Sequence, residues 1–479
     1  MILSSLPCID SIQLISIIIT LLVSIASSLV IFMHVSYYWI NKLKSRRKIK
    51  YGKLTSFPLV SIFIPIKNEP LDLVLRILNS ISNQNYPKDK IEVIIVSDDE
   101  ESYFKKIKEY VNLKYGDKLD VKIYHRSNPT GFKAGALNYA LRKSNGKYVF
   151  IFDVDAIFKS DFLEKIVSFL EYNDDVDGVA VKWIPYNANS TPIAEAQAIS
   201  LEYLTSIFFD GKSKINFPII IPGCGCAFRR NALIEVNGWN ENCLAEDIDL
   251  SVRLILKGKK LAYLDDVNVK IENPESYEAF KKQQARWIYG STKVLLKYFP
   301  KLIRAKIPFL WKIDITLYLL QYHILLANFI FISLALSSII IGADLLIPSI
   351  YFSPFLMALL ALQAYSYYDA ARKLGLNNIR SIIIMGRCTA MAAVLAPIVL
   401  IQNLKLIFNL REKWHITPKG PLARSIRSSN IIESLCGFTS SLLALILFNF
   451  GFKVSALCLL TFSLPYLYVS WKISKGSWQ

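Results

Sequence analysis

The sequence predicts an α/β domain with a doubly wound, mostly parallel sheet, joined to an α-helical membrane region of about five spans plus interfacial helices. Three observations predict it. Long runs lack any Asp, Glu, Lys or Arg; short apolar strands alternate with helical stretches between the first two such runs; and two of those strands run straight into acidic residues.

The uncharged runs are Ser11–Ile40, Ile315–Ala343, Leu345–Tyr368, Ser434–Phe452 and Val454–Trp471. About 20 apolar residues cross a bilayer core, so each is long enough to span, the last two narrowly. The first is too long for a signal-peptide core and has no basic residue before it, so it reads as a retained anchor. With 53 % hydrophobic residues and mean hydropathy +0.34, the remainder still suffices for a soluble domain in a chain of 479 residues.

A formal charge of +18 raises the question of nucleic acid, and its distribution answers it. Lys42, Lys44, Arg46, Arg47, Lys48, Lys50 and Lys53 follow the first run. Arg372, Lys373 and Arg380 follow the third, and Arg411, Lys413, Lys419, Arg424 and Arg427 precede the fourth. Basic residues clustered at span ends are the positive-inside pattern, with anionic lipid rather than nucleic acid as the partner. This gives a multi-pass protein of the cell membrane, with a short N-terminus outside and the soluble domain in the cytoplasm. Ser381–Leu410 is apolar but interrupted by Arg387 and Lys405, and Pro397 would kink it. Taking it as an interfacial helix keeps both flanking basic groups inside. KYFPKLIRAKIPFLWK mixes bulky apolar and basic residues as a second interfacial segment would. The seven cysteines form no disulfide or zinc framework, and four separated histidines give no metal cluster.

Between the spans, LVSIFIPI, IEVIIVS, LDVKIY, KYVFIFD and DGVAVKW read as strands. Ligands of such sheets bind beyond the carboxyl ends of strands. IEVIIVS runs into Asp98-Asp99, and KYVFIFD into Asp153-Val154-Asp155. Asp153 and Asp155 suit a hard dication bridging diphosphate oxygens, the alternative being two solvated acids at a strand end. Asp98 and Asp99 either cap the following helix or hold the base and ribose of a nucleotide. Pro65, Asn68 and Glu69 border the same crevice or form an ordinary turn. Glu246 and Asp247, after a turn at Asn237-Gly238, open an amphipathic helix; Asp247 is the candidate general base and Glu246 its helper. Gln283, Arg286 and Trp287 share one helical face, offering an amide, a fixed cation and a flat aromatic surface for hydroxyls, diphosphate and sugar ring. Cys224-Gly225-Cys226 is a compact turn where an acceptor could approach closely, with too few thiols for a metal.

In order, PIKNEP, VSDDE, GFKAGALN, FDVDA, GCGCAFRR, NGWNENCLAEDIDL and QQARW resemble the family 2 inverting glycosyltransferases of GT-A fold, in their cellulose synthase and hyaluronan synthase branch. The resemblance implies that Asp98 contacts the nucleobase, with uracil expected by analogy. It implies Asp155 as metal ligand with Asp153 near the nucleotide, Mg²⁺ or Mn²⁺ as the cofactor, and Lys133 adding charge there. It further implies Asp247 as base, Arg286 on the diphosphate and Trp287 stacked on the acceptor sugar. Trp414-His415-Ile416-Thr417-Pro418-Lys419 is similar to the gating loop of cellulose synthases, which would bring Thr417 and Lys419 to the diphosphate. Cellulose synthases carry an aromatic pair before the small-residue turn that this sequence lacks at Cys224-Gly225-Cys226.

The expected organisation is an anchor with its basic flank (1–54), a cytoplasmic catalytic domain (55–292), and interfacial helices, four spans and a gating-like loop at 411–420 (293–479). The expected activity moves a sugar from a nucleotide-diphospho-sugar to a growing β-linked polysaccharide and translocates it. A non-processive transferase acting on a glycolipid acceptor shares these motifs, and a non-catalytic membrane scaffold or transporter is the alternative from another class.

Overall fold

The structure, a computed structural model, describes residues 7–45, 49–410, 412, 428–476 and 478, with side chains from Ser11. Helix α1 (Pro7–Leu43) takes up the first uncharged run and carries Lys42 in its last turn. The chain then enters the sheet through β1 (Val60–Ile66), α2 (Leu71–Ser82), β2 (Ile91–Ser97), α3 (Glu101–Tyr115), β3 (Asp120–His125), α4 (Phe132–Lys143) and β4 (Tyr148–Ile151). These four strands are parallel. β2 is Ile- and Val-rich and buried along its whole length, as a strand covered on both faces must be. α2 buries Leu73, Val74, Ile77, Leu78 and Ile81, one stripe at helical spacing, against that sheet.

Beyond β4 the sheet continues through β5 (Ile157–Phe158), α5 (Phe162–Tyr172), β6 (Val176–Pro185), α6 (Pro192–Tyr203), a π-helical turn (Leu204–Phe209), α7 (Asp210–Ser213), β7 (Cys226–Arg229), α8 (Arg230–Glu235), α9 (Glu246–Leu256) and β8 (Lys260–Ile271). The strand order is β3-β2-β1-β4-β7-β6-β8-β5. β7 runs antiparallel to β4 and β6, and β5 antiparallel to β8, so the sheet is mixed rather than uniformly parallel. All five strands expected from sequence are present. After β3 the chain returns to the opposite side of β1, which makes the β1–β4 junction the topological switch point, where a ligand crevice opens.

Alternate residues of β1 face two cores. Ile62 and Ile64 pack with Ile77, Ile95, Val111 and Phe162 on one side. Phe63 packs with Ile94, Leu137 and Val149 on the other, in a cluster that continues into Tyr37 of α1, Val294 and Ile315. The α/β domain therefore shares a core with the apolar helices instead of hanging from a linker. Lys212 Nζ lies 2.7 Å from Asp314 Oδ2 with both side chains buried, and Tyr37 donates its hydroxyl to Asp314 at 2.6 Å. Removing one partner of such a buried pair typically costs ~3–5 kcal/mol.

α10 (Tyr277–Arg304) runs without interruption past residue 292 and is followed by α11 (Phe309–Leu320), α12 (Ala327–Ile341), α13 (Ser349–Lys373), α14 (Asn378–Ala393), α15 (Ala396–Ile407), α16 (Ile431–Asn449) and α17 (Lys453–Ser474). Six helical segments among the described residues are long and apolar enough to cross a membrane, one more than the five uncharged runs: Ser11–Leu43, His323–Ile341, Ser349–Lys373, Asn378–Ile407, Ile431–Asn449 and Lys453–Ser474. The addition is the stretch that the charge argument reads as interfacial. It is a helix pair broken at Val394–Leu395, with Pro397 in the first turn of α15. Its Arg387 does not interrupt it, because that guanidinium and Arg380 both turn to Glu195 of α6, at 3.0 and 2.6 Å. A second difference concerns Ile315–Ala343, which is not one helix. Ile315–Leu320 belongs to α11, and the chain turns at Gln321-Tyr322 before the span begins at His323.

Candidate active site

A cavity of about 270 Å³ opens at the carboxyl ends of β1, β2 and β4 and extends under α10 to the end of α11. Pro65, Lys67 and Glu69 follow β1; Asp98 follows β2; Asp153 and Asp155 follow β4. Lys133, Gly223, Cys224, Glu246, Asp247, Gln283, Arg286 and Trp287 complete the chemically distinctive part of the wall.

Lys133 joins the two acidic groups. Its Nζ donates to Asp153 Oδ1 at 2.7 Å and to the Gly223 carbonyl at 2.8 Å, and lies 3.7 Å from Glu246 Oε1. Burial alone would lower the Lys133 pKa, but Asp153 and Glu246 outweigh it and hold the ammonium charged. Glu246 behaves oppositely. Burial raises it to about 7, with Asp247 adding to the rise while Lys133 and Arg286 pull it down. Asp247 is oriented by backbone: its Oδ2 accepts the Gly223 N–H at 3.0 Å and its Oδ1 the Ile248 N–H at 2.8 Å. A Cβ on Gly223 would sit 3.3–3.4 Å from Lys133 Nζ, Asp247 Oδ2 and Glu246 Oε1, so a side chain there would crowd all three at once.

The Asp153–Asp155 pair is fixed from behind. Cys224 Sγ accepts the Asp153 N–H at 3.3 Å, and Asp155 Oδ2 accepts the Glu272 N–H at 2.8 Å. Burial pushes the Cys224 thiol well above its ordinary range, so it stays a thiol. Among the described residues no three His, Cys, Asp or Glu side chains gather around a common point. Two carboxylates on one strand end fit a hard dication that takes its other oxygens from a phosphate ligand and water, not an all-protein cage.

Gly290 explains how α10 reaches these acids. A Cβ on it would fall 2.4 Å from Ala245 Cβ, the residue just before Glu246. Only glycine lets the helix press against the start of α9, and the same face, three and four residues earlier, carries Trp287 and Arg286. Below them Ser291, Tyr318, Gln321 and Tyr322 line the cavity at the head of the apolar helices. Tyr322 donates to Gln284 Oε1 at 3.0 Å, and Gln197 meets Gln283 Oε1 at 3.5 Å.

The structure thus brings Pro65, Glu69, Asp98, Lys133, Asp153, Asp155, Cys224, Glu246, Asp247, Gln283, Arg286 and Trp287 into one cavity. Three of the residues read from sequence, Asn68, Asp99 and Gly225, lie outside the cavity wall. Asp99 ties the turn after β1 to the end of β2, accepting the Asn68 backbone N–H and the Ser97 hydroxyl, which fixes the left-handed Asn68. Gly225 is left-handed too, and its missing Cβ makes room for Val269 of β8 rather than for a ligand. Neither Asp98 nor Asp99 caps α3; Glu100 occupies that position without a side-chain bond. Thr417 and Lys419 lie outside the described residues. The flanks of their segment both attach to α10: the Leu410 carbonyl accepts the Tyr289 hydroxyl at 3.3 Å, and Glu433 accepts the Tyr277 hydroxyl at 2.8 Å. Sequence reasoning missed Gly223, Trp183, Tyr318, Gln321 and Tyr322 in the wall. Only the small-residue run PGCGC gave any signal for the first.

Residues 148–367 match the profile of Glycosyl transferase family group 2. A probable glycosyltransferase of Sulfolobus acidocaldarius is 33% identical over 436 residues, covering 89% of this chain and 92% of that protein. The chain belongs to glycosyltransferase family 2. Glucomannan 4-beta-mannosyltransferase 1 of Oryza sativa subsp. japonica is 30% identical over 306 residues, and glucomannan 4-beta-mannosyltransferase 2 of Arabidopsis thaliana 30% over 262 residues. These cover 63% and 54% of this family 2 chain, which spans only 57% and 49% of theirs. Among solved structures, mannosyltransferase PcManGT from Pyrobaculum calidifontis, in complex with GDP-Man and Mn2+, superposes with a TM-score of 0.52 at 20% identity, over 81% of this chain and 99% of that one. That likeness establishes the GT-A fold.

Proposed function

We propose that this glycosyltransferase is membrane-integrated and inverting, and that it extends a β-linked polysaccharide from a nucleoside diphosphate sugar, passing the product toward its own apolar helices. The carrying observation is the single cavity that runs from the sheet's strand ends, past Lys133, Asp247 and Trp287, to Tyr318 and Tyr322 at the membrane helices. The diphosphate would lie at Asp153 and Asp155, with Lys133 and Arg286 balancing its charge. A divalent cation bound there, Mg²⁺ or Mn²⁺, would neutralise the departing diphosphate. The acceptor sugar would rest against Trp287 and Gln283, with its attacking hydroxyl at Asp247. As the acceptor oxygen bonds to the anomeric carbon, its proton passes to the Asp247 carboxylate. The bond to the phosphate oxygen breaks on the opposite side, and its electron pair leaves with the diphosphate. One displacement inverts the anomeric centre and needs one base. Glu246, its pKa raised to about 7 by burial, would position Lys133 at 3.7 Å, while Asp247, aligned by the Gly223 and Ile248 N–H groups, would take the proton.

The clustering of basic residues at span ends supports a cytoplasmic catalytic domain. The mannosyl transfer in the plant relatives' names makes mannose the first donor sugar to test. Membranes carrying the protein should convert one radiolabelled nucleotide sugar, from a panel of GDP- and UDP-linked hexoses with Mg²⁺ or Mn²⁺, into long polymer. Label in an organic extract, as a single added sugar, would replace this reading with glycolipid synthesis. Absence of nucleoside diphosphate release with every donor would overturn it.

A further inference from the structure

The cavity has a charged end and a second end that the proposed chemistry leaves unexplained. The charged end lies at β4, α9 and α10, where Asp153, Asp155, Lys133, Asp247 and Arg286 meet. From there the wall continues across β1 to the end of β2 and the start of α4. Among the described lining residues on that side, Phe132 alone is aromatic, beside Pro65, Lys67, Glu69 and Asp98. Its position is unusual on two counts. It is 43% exposed, although large and apolar, and its backbone is left-handed with φ 48°, a conformation that costs a bulky residue strain.

Three contacts hold it there. Arg126, one residue past β3, grips Asp98 with one edge of its guanidinium: Nε to Oδ1 at 2.6 Å and Nη2 to Oδ2 at 2.5 Å. The same Nη2 donates to the Phe132 carbonyl at 3.1 Å, and Nη1 donates to the Thr130 carbonyl at 2.9 Å. Two nearby glycines, Gly131 and Gly135, permit this. A Cβ on Gly135 would fall 2.0 Å from the Thr130 carbonyl oxygen and 2.6 Å from Arg126 Nη1. A Cβ on Gly131, itself at φ 70°, would fall 2.5 Å from Glu241 Cβ. One guanidinium therefore sets a carboxylate and a flat ring at a fixed separation on the cavity rim.

We propose that Phe132 is the face on which the donor's nucleobase stacks, and that Arg126 is the positioning residue that sets this ring beside Asp98. The inference rests on the donor-site reading above and extends it to the base. A base needs an apolar platform plus an in-plane acceptor for its N–H groups. Asp98 supplies the second with the lone pairs that Arg126 leaves, and the largely buried pairing with Arg126 fixes where those lone pairs lie. Stacking does not discriminate strongly among bases, so the platform serves a purine or a pyrimidine.

The test separates base from phosphate. Calorimetry on the full chain in detergent or nanodiscs, with Mn²⁺ present, compares GDP and UDP with inorganic pyrophosphate, which lacks a base. Phe132→Ala should weaken the preferred nucleoside diphosphate by roughly 5- to 100-fold, the range of one lost base stack, and leave pyrophosphate affinity unchanged. Phe132→Tyr should restore binding, since it keeps the flat face. Arg126→Lys, which keeps the charge but not the two-pronged grip, should also lower nucleoside diphosphate affinity selectively. Equal loss for both ligands, or no loss for either, overturns the assignment. A wild-type chain that binds pyrophosphate but no nucleoside diphosphate overturns it as well, while sparing the diphosphate site. Failure of the wild type to bind either ligand overturns the donor-site reading and this inference together.

Discussion

Gly290→Ala adds one methyl group at the contact between α10 and the start of α9. The new Cβ would lie 2.4 Å from Ala245 Cβ and 3.0 Å from Ala245 N, where ordinary contact begins near 3.4 Å. The two helices must separate by about 1 Å, and neither has a flexible side-chain tip to yield. Overpacking of this kind costs ~1–3 kcal/mol of stability. The larger effect falls on turnover. Ala245 immediately precedes Glu246 and Asp247, while Arg286 and Trp287 lie on the same face of α10 as Gly290. Moving the cation and the acceptor surface by ~1 Å relative to the base should lower kcat about 100-fold. Initial rates of nucleoside diphosphate release at saturating donor measure this, with calorimetric donor binding as the check that the site is still formed. Gly386→Ala is the matched control, because a Cβ there meets nothing within 4 Å. An alanine at that helical position should stabilise slightly and leave kcat unchanged. If Gly290→Ala retains wild-type kcat, the close approach of α10 does not organise the site.

Trp287→Ala should uncouple the reaction: nucleoside diphosphate release persists as hydrolysis, while sugar incorporated into polymer falls roughly five- to thirty-fold, the effect of ~1–2 kcal/mol of lost acceptor contact. Equal decline of both products would place Trp287 in donor binding instead. For Glu246, a carboxyl raised to about 7 is protonated below that pH, and Lys133 then loses one of its two carboxylate partners. The donor kcat/KM, which reports the free enzyme, should therefore fall as pH drops through about 7, and Glu246→Gln should flatten that limb. An unaltered limb in Glu246→Gln would assign it to another group.

Much of the fold was legible because its central strands are uninterrupted apolar runs. β1 and β2 are buried on both faces and are dominated by Ile, Val and Phe between turn signals. β7 was not legible: four residues inside GCGCAFRR read as part of a turn. β8 was missed because Asp265, Asp266 and Lys270 break its apolar pattern where it is exposed or bulged against β6. In the site, Asp153, Asp155, Asp247 and the Gln283-Arg286-Trp287 face were found because charge and spacing announce their chemistry. Residues that act by backbone or by absence carry no such mark. Gly223 and Gly290 matter through atoms they lack, and Asp99 resembles Asp98 in sequence while tying the turn after β1 to the end of β2. Tyr318 and Tyr322 were hidden for another reason. They sit in an uncharged run that reads as membrane span, yet the chain bends there and turns both toward the cavity.

The central claim is that a carboxylate held by Gly223 and Ile248 takes the acceptor proton while a separate carboxylate pair carries the metal-bound diphosphate. Single-turnover assays on Asp247→Asn and Asp155→Ala, paired with Mn²⁺-dependent nucleoside diphosphate binding, test it most directly. Asp247→Asn should bind as wild type does and transfer no sugar, whereas Asp155→Ala should lose the metal-dependent part of binding. Sugar transfer by Asp247→Asn at the wild-type rate would contradict it.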